Sequence, residues 1–266
     1  MASRSGRGRM LPWITTPLLA AAMLVLWQAY ARLSGIGAFL LPPPTEVWSA
    51  YLEELRKAAL WHHTWATAYE TLAGFAWASL IGLGTGTLIG RWRWLEMTLN
   101  PFIVATQVVP KVALVPLFVV WFGFGPASKV LLAATLAFFP ILTNTVLGVK
   151  SVDLGHRDVM TALNAPRWKV FTRLELPSAL PYLLTGMEVG IVLAVIGAVV
   201  GEYLGGNSGL GYMLIAKMNA YETDALFAVI LHLTLIGFAF YWLMVSARRL
   251  LVPWHESVLV DRVQAP

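Results

Sequence analysis

Apolar residues run through this 266-residue chain in long blocks rather than in the short alternations of a soluble domain. Six blocks stand out, at about 13–33, 63–90, 98–122, 128–149, 182–204 and 224–250. Each is near the roughly 20 residues that an α-helix needs to cross a bilayer. Lipid offers backbone groups no other hydrogen-bond partner, so all six are predicted as helices. The pattern defines an all-α polytopic membrane protein: a tail over 1–12, one transmembrane domain over 13–250 and a second tail over 251–266.

One long charged segment, Arg157 to Pro181, interrupts the blocks. Val159, Met160 and Leu163 share one helical face, and Trp168, Phe171 and Leu174 share another after a break at Asn164-Ala165-Pro166. Two short amphipathic helices joined by a tight turn are expected, with Asn164 in the left-handed region and Pro166 opening the second helix. Pro177 and Pro181 are expected to stop that helix before the next apolar block. A loop lying flat on the membrane surface is the alternative. Ahead of the second block, Pro42-Pro43-Pro44 gives an extended entry and Thr45 is placed to cap a short helix through Leu55. Its apolar side would be Trp48, Tyr51, Leu52 and Leu55, with Glu46, Glu53, Glu54, Arg56 and Lys57 solvated.

Hydrophobic residues make up 58% of the chain and charged ones 12%, which excludes an ordinary soluble domain. Basic residues orient the spans. One side would hold Arg4, Arg7, Arg9, Arg91, Arg93, Lys150, Arg157, Arg167, Lys169, Arg173, Arg248, Arg249 and Arg262, and the other only Arg32, Arg56, Lys57, Lys129 and Lys217. Both termini and the 150–181 loop are therefore expected in the cytoplasm. The net charge of +5 follows from that orientation and not from nucleic-acid binding, since no basic-aromatic module is present. The first block followed by Ala29-Tyr30-Ala31 also fits a cleavable leader, although its length is that of a span. With no cysteine, disulfides and thiolate metal sites are excluded.

No G-x-x-x-x-G-K-[ST] phosphate loop occurs, and Gly82, Gly84, Gly86 and Gly90 read as close helix packing. His62-His63, His156, His232 and His255 lack a zinc-type spacing, and the adjacent pair is expected at the membrane interface. Polar groups inside spans are costly and mark functional sites. Here they are Glu70, Gln107, Lys111, Asn144, Glu188 and Glu202, with Gln107, Lys111, Asn144, Glu188 and Glu202 as candidates for a translocation pathway. Lys111 lies between Pro110 and Pro116, where a broken helix could offer a cation to an anionic solute; a structural pairing with Glu188 is the alternative. The glycine-rich exit Glu202 to Gly211 reads as a gate, a docking loop or a plain turn.

Asp158-Val159-Met160, Asn164 and Leu174-Glu175-Leu176-Pro177 match in register the EAA loop of binding-protein-dependent ABC importer permeases, which this chain resembles. Asp158 stands for Glu, Val159-Met160 for two alanines and Asn164 for Gly, changes that keep the charge, the apolar face and the access to positive φ. Gln107 to Lys111, Trp121 to Gly125, Phe138-Phe139-Pro140 and Ser208 to Tyr212 resemble the nitrate/sulfonate/taurine branch, with its relatives for pyrimidine vitamin precursors and riboflavin. The resemblance implies a type I (MetI-like) importer fold in a bacterial inner membrane, working as a homodimer with an external binding protein and cytoplasmic ABC ATPase subunits. ATP and Mg would act through those partners, and no cofactor is implied in this chain. It further implies an ATPase-coupling loop of Asp158, Met160, Ala162, Leu163, Asn164, Arg167, Trp168, Phe171, Leu176 and Pro177. A transporter driven by an ion gradient through Lys111, Glu188 and Glu202, or a membrane scaffold, is the rival reading.

Overall fold

A computed structural model describes residues 7–254, all helix and connecting turns. Arg4, His255 and Arg262, and most of the two expected tails, lie outside the described residues. The helices are α1 (Arg7–Leu33), α2 (Pro44–Leu55), α3 (Ala58–Arg91), α4 (Arg93–Val108), α5 (Val115–Phe122), α6 (Pro126–Lys150), α7 (Leu154–Ala162), α8 (Arg167–Val170), α9 (Leu176–Gly205), α10 (Leu210–Asn219) and α11 (Thr223–Leu251).

The core is α3, α6 and α9, and glycine sets how closely they approach. A Cβ added at Gly74, Gly82, Gly86 or Gly90 would fall within 2.9 Å of Ala133, Ile141, Thr145 or Val149 respectively. These partners keep a constant spacing along both chains, so α3 and α6 run parallel. Against α9 the order reverses, with Gly148 on Ala179, Gly190 on Ile141 and Gly197 on Ala133, so α9 is antiparallel to both. Ala78, Ala133, Ala137, Ile141, Ala194 and Ala198 fill the centre. Small residues suit a bilayer, where helices associate by close packing and not by expulsion of water. Gly84, expected to join this seam, faces open space.

Parallel packing also settles the third apolar block. It is broken: α4 ends at Val108, Pro110 precedes a 3₁₀ turn over Lys111–Leu114, and the two halves bend by 81°. Pro110 has no N–H to continue the ladder and disfavours helix at Val109. The chain nevertheless leaves the far end of α3 and re-enters at the near end of α6, covering α6's length of roughly 37 Å at 1.5 Å per residue. The bent pair thus serves as one crossing beside five unbroken helices, giving six.

Elements collect at the two ends of this bundle. At the end where α3 begins, α2 packs Ala50 and Tyr51 on Ala228 of α11, and α10 packs Leu210 and Met213 on Leu60 and Val229. Trp27 of α1 meets Phe227 near the start of α11, so α1 arrives at this same end. At the opposite end lie α7, α8 and the end of α11. Among basic residues with described side chains, Arg32, Arg56, Lys57, Lys129 and Lys217 sit at the first end, and Arg91, Arg93, Lys150, Arg157, Arg167, Lys169, Arg173, Arg248 and Arg249 at the second.

Three local expectations are corrected. Pro177 and Pro181 do not end a helix: α8 passes into α9 through one π turn over Phe171–Glu175, where Leu176 N–H bonds to Phe171 O. The wider turn tolerates the donor missing at Pro177. Thr45 is not a cap, because Pro44 at the first position starts α2 from Pro43; its hydroxyl accepts from Gln28 Nε2 at 3.3 Å instead. Trp48 and Leu52 are exposed. Glu54, expected in solvent, is 2% exposed and pairs with Lys57 and Lys217, each at 2.8 Å. Burial alone would raise its carboxyl, but the two ammonium groups outweigh that and hold it below its ordinary range. Burial would likewise lower Lys217, and its bonds to Glu222 and Glu54 raise it above its ordinary value.

Candidate functional site

The loop at the second end is built as its sequence requires. Asp153 caps α7 by accepting from His156 N–H at 3.1 Å. At the far end Asn164 has φ +48, with Asn164 N–H bonding to Thr161 O and Ala165 N–H to Met160 O at 2.9 and 3.0 Å. This is the paired closure of a Schellman turn, with Asn in the position glycine usually takes. Pro166 then opens α8. The two apolar faces stay uncovered by this chain: Val159 is 56% exposed, Leu163 71% and Trp168 65%. Asp158, Ala162 and Arg167 are also exposed, Met160 is half-buried, and Phe171 is partly covered by the Arg91 guanidinium, 5.6 Å from its ring. Leu176 and Pro177 form the first turn of α9.

Glu175 ties this loop to the bundle. Its carboxylate accepts from Arg91 at the end of α3 (2.8 Å) and from Arg157 in α7 (3.2 Å). Lys150 at the end of α6 pairs with Glu96 of α4. These anchors were not singled out from sequence. Nothing local relates Arg91 to Glu175, 84 positions away.

The in-span polar residues separate into four places. Lys111 donates to Gln107 O at 3.4 Å and lies 4.6 Å from the centre of the Phe139 ring, with Gln107 exposed beside it. Asn144 is held within α6 by Pro140 O and packs against Gly186. Glu188 pairs with Arg248 of α11 at 2.8 Å, so the alternative of a Lys111–Glu188 pair is not formed. Arg248, near the end of its helix, reaches back along the bundle to make this ion pair.

Glu202 lies at the first end of the bundle, buried, where Thr67 Oγ1 donates to it at 2.6 Å and Gly211 N–H at 2.7 Å. Leu210 N–H bonds to Thr67 Oγ1 at 2.8 Å and Gly209 N–H to His63 Nδ1 at 3.1 Å. A carboxylate at the N-terminus of α10 satisfies free amides and opposes the positive end of the helix dipole. The glycine-rich exit is therefore a wrap around Glu202, and Gly209 (φ +99) turns the chain there. His63 faces inward and not into the interface. Lys129, buried in α6, donates to the carbonyls of Phe124 and Gly125 and faces Glu70 and Glu202. The charges named by the gradient-driven reading thus belong to three separate surroundings and form no relay.

Residues 78–253, which take in the core, the loop and α11, match the family described as binding-protein-dependent transport system inner membrane component. The riboflavin transport system permease protein RibX of Chloroflexus aurantiacus is 39% identical over 92% of this chain and 92% of its own. The formylaminopyrimidine transport permease protein ThiX of Halalkalibacterium halodurans is 35% identical over 88% and 93%. The taurine transport system permease protein TauC of Escherichia coli is 32% identical over 90% and 88%. In three dimensions the chain resembles the MetNI methionine ABC transporter in its inward-facing form, with TM-score 0.63 and 18% identity over 72% of this chain and 95% of that one. A six-crossing helical bundle with an exposed amphipathic loop at one end is the architecture of an importer's membrane subunit. The chain belongs to the binding-protein-dependent ABC importer permeases, in the branch that contains the taurine and sulfonate systems. It is a multi-pass inner-membrane subunit, and in this family the ATPase is a separate subunit.

Proposed function

We propose that this permease works as a homodimer, passing a small solute from an external binding protein to the cytoplasm while two ATPases act on the α7–α8 loop. The observation that carries the reading is the exposed apolar face of Val159, Leu163 and Trp168, fixed in shape by the Asn164 turn and tied to α3 through Glu175. Such a face fits the groove of a partner protein. Asp158, Met160, Ala162, Leu163, Asn164, Arg167, Trp168, Phe171, Leu176 and Pro177 are the residues assigned to that contact. ATP and Mg would be bound by the partner, and nucleotide-driven closure would bias the bundle between inward- and outward-facing states.

Orientation is supported by the basic residues, which gather at the loop end; that end is assigned to the cytoplasm. The solute would pass the face bearing Gln107 and Lys111, with Asn144, Glu188 and Glu202 shaping helices around it. Its cargo is of the kind carried by its relatives, namely riboflavin, a formylaminopyrimidine or a sulfonate. Affinity purification in mild detergent tests the assembly: an ATPase subunit should co-purify and be lost when Asp158, Asn164 and Arg167 are changed together. Retention of the ATPase by that triple variant would overturn the loop assignment. Uptake of labelled riboflavin, pyrimidine and taurine by the reconstituted complex identifies the cargo.

A further inference from the structure

Below the ends of α3 and α6 lies a cleft of about 910 Å³, closed on its far side by α7 and α8. Arg91, Lys150, Arg157 and Arg167 line it, with Trp92 and Trp168 exposed on its walls. Its acidic lining residue is Glu175, already shared by Arg91 and Arg157, and Lys150 is engaged by Glu96. The Arg167 side chain forms no ion pair or hydrogen bond within the described residues. Three guanidiniums thus face one carboxylate. A second, narrower slot of about 120 Å³ shares Arg91, Val149, Phe171 and Glu175 with the cleft and continues toward the bilayer between Thr87, Leu176, Ala179 and Leu183. Its walls beyond Glu175 are almost wholly apolar.

We infer that this cleft is a binding site for an anionic phospholipid, with the phosphate at Arg157 and Arg167 and the start of an acyl chain in the slot beside Thr87 and Leu183. The basic cleft and the apolar slot join at Arg91, Val149, Phe171 and Glu175. A soluble anion would use the basic mouth and gain nothing from the slot, whereas a lipid of the adjoining leaflet fits both. Arginine forks suit a phosphate's oxygens, and indole rings such as the exposed ones of Trp92 and Trp168 favour a headgroup region. An acidic segment of a partner protein could satisfy the arginines but has no use for an apolar slot that runs from them along α3 and α9. The lipid would wedge α7–α8 against the end of α3, so membrane composition would set the stiffness of the loop. The site does not depend on the loop's engaging an ATPase.

The test is lipid retention by the full chain purified alone, read by native mass spectrometry after reconstitution in nanodiscs of phosphatidylcholine with or without phosphatidylglycerol. One phosphatidylglycerol per chain should be retained in preference to phosphatidylcholine. Arg167→Gln should weaken retention about fivefold, the effect of one basic residue at a charged surface. Thr87→Phe, which fills the slot without touching the charges, should also weaken it. Millimolar inorganic phosphate should displace little. Equal retention of the two lipids, or no change in either variant, would overturn the inference. Full displacement by inorganic phosphate would make this a free-anion site, and displacement by the ATPase subunit with and without nucleotide would give the cleft to a protein; either overturns it. Loss of ATPase co-purification with lipid retention intact would count against the importer assembly and not against this site.

Discussion

Arg91, the last residue of α3, donates to Glu175 at 2.8 Å and so ties the first core helix to the root of the third. Arg157 of α7 holds the same carboxylate at 3.2 Å. One side chain thus joins the loop to two elements of the bundle. Glu175→Gln should cut solute uptake strongly while ATP hydrolysis by the complex continues. Thermal stability should change by less than about 1 kcal/mol, since the three groups are part-exposed. Coupling ratios measured in proteoliposomes check this, and unchanged uptake per ATP would remove Glu175 from the linkage.

Asn164 occupies φ +48, a region costing most residues about 1–2 kcal/mol. Asn164→Val should disorder the turn and uncouple hydrolysis from transport, whereas Asn164→Gly should behave as the parent. A pair of transport assays separates the two variants, and normal coupling in the valine form contradicts the assigned turn.

Close approach of α3 and α6 predicts a steric series. A Cβ at Gly86 would lie 2.6 Å from Thr145 Cβ, while one at Gly84 meets nothing within 4 Å. Gly86→Val should lower stability by about 1–3 kcal/mol, the usual cost of overpacking. Gly84→Ala should be neutral. Melting temperatures in detergent decide it.

The Glu54–Lys217 pair gives the α2–α10 end of the bundle a definite pH window. Glu54 titrates below its ordinary 4.5 in the folded protein, so its contribution is present above that value and is lost as pH falls through the lowered pKa. Lys217 titrates above its ordinary 10.5, so its contribution is present below that and is lost as pH rises past the raised one. Lys217→Ala should therefore loosen α10 near neutral pH by about 1.5 kcal/mol, the worth of one charge-assisted hydrogen bond, since Glu54 keeps Lys57. Hydrogen exchange in 210–219 reports the loosening, and Glu54→Gln should flatten the acid limb.

Much of this was legible in the chain because lipid imposes simple demands. Six apolar blocks became six crossings, and Asn164-Ala165-Pro166 specified its turn through residues adjacent in sequence. The failures are long-range or come from competing local rules. Glu54 reads as solvated until Lys217, far along the chain, is folded against it. Pro177 reads as a stop, yet a π turn accommodates it. Pro110 showed that the third block would break, but the 81° bend depends on the packing of its neighbours. Lys111 lies at the break that Pro110 and Pro116 suggest, while its setting against Phe139 rests on a contact no pattern encodes.

The π turn has a further consequence. Because it lets α8 run unbroken into α9, Glu175 at the loop and Glu202 at the opposite end belong to one rod roughly 40 Å long. Glycine seams seat that rod against α3 and α6 with little slack. A displacement delivered at the loop would therefore reach the wrap around Glu202 as a lever stroke, with Glu175 and Glu202 as the two handles of a single machine part.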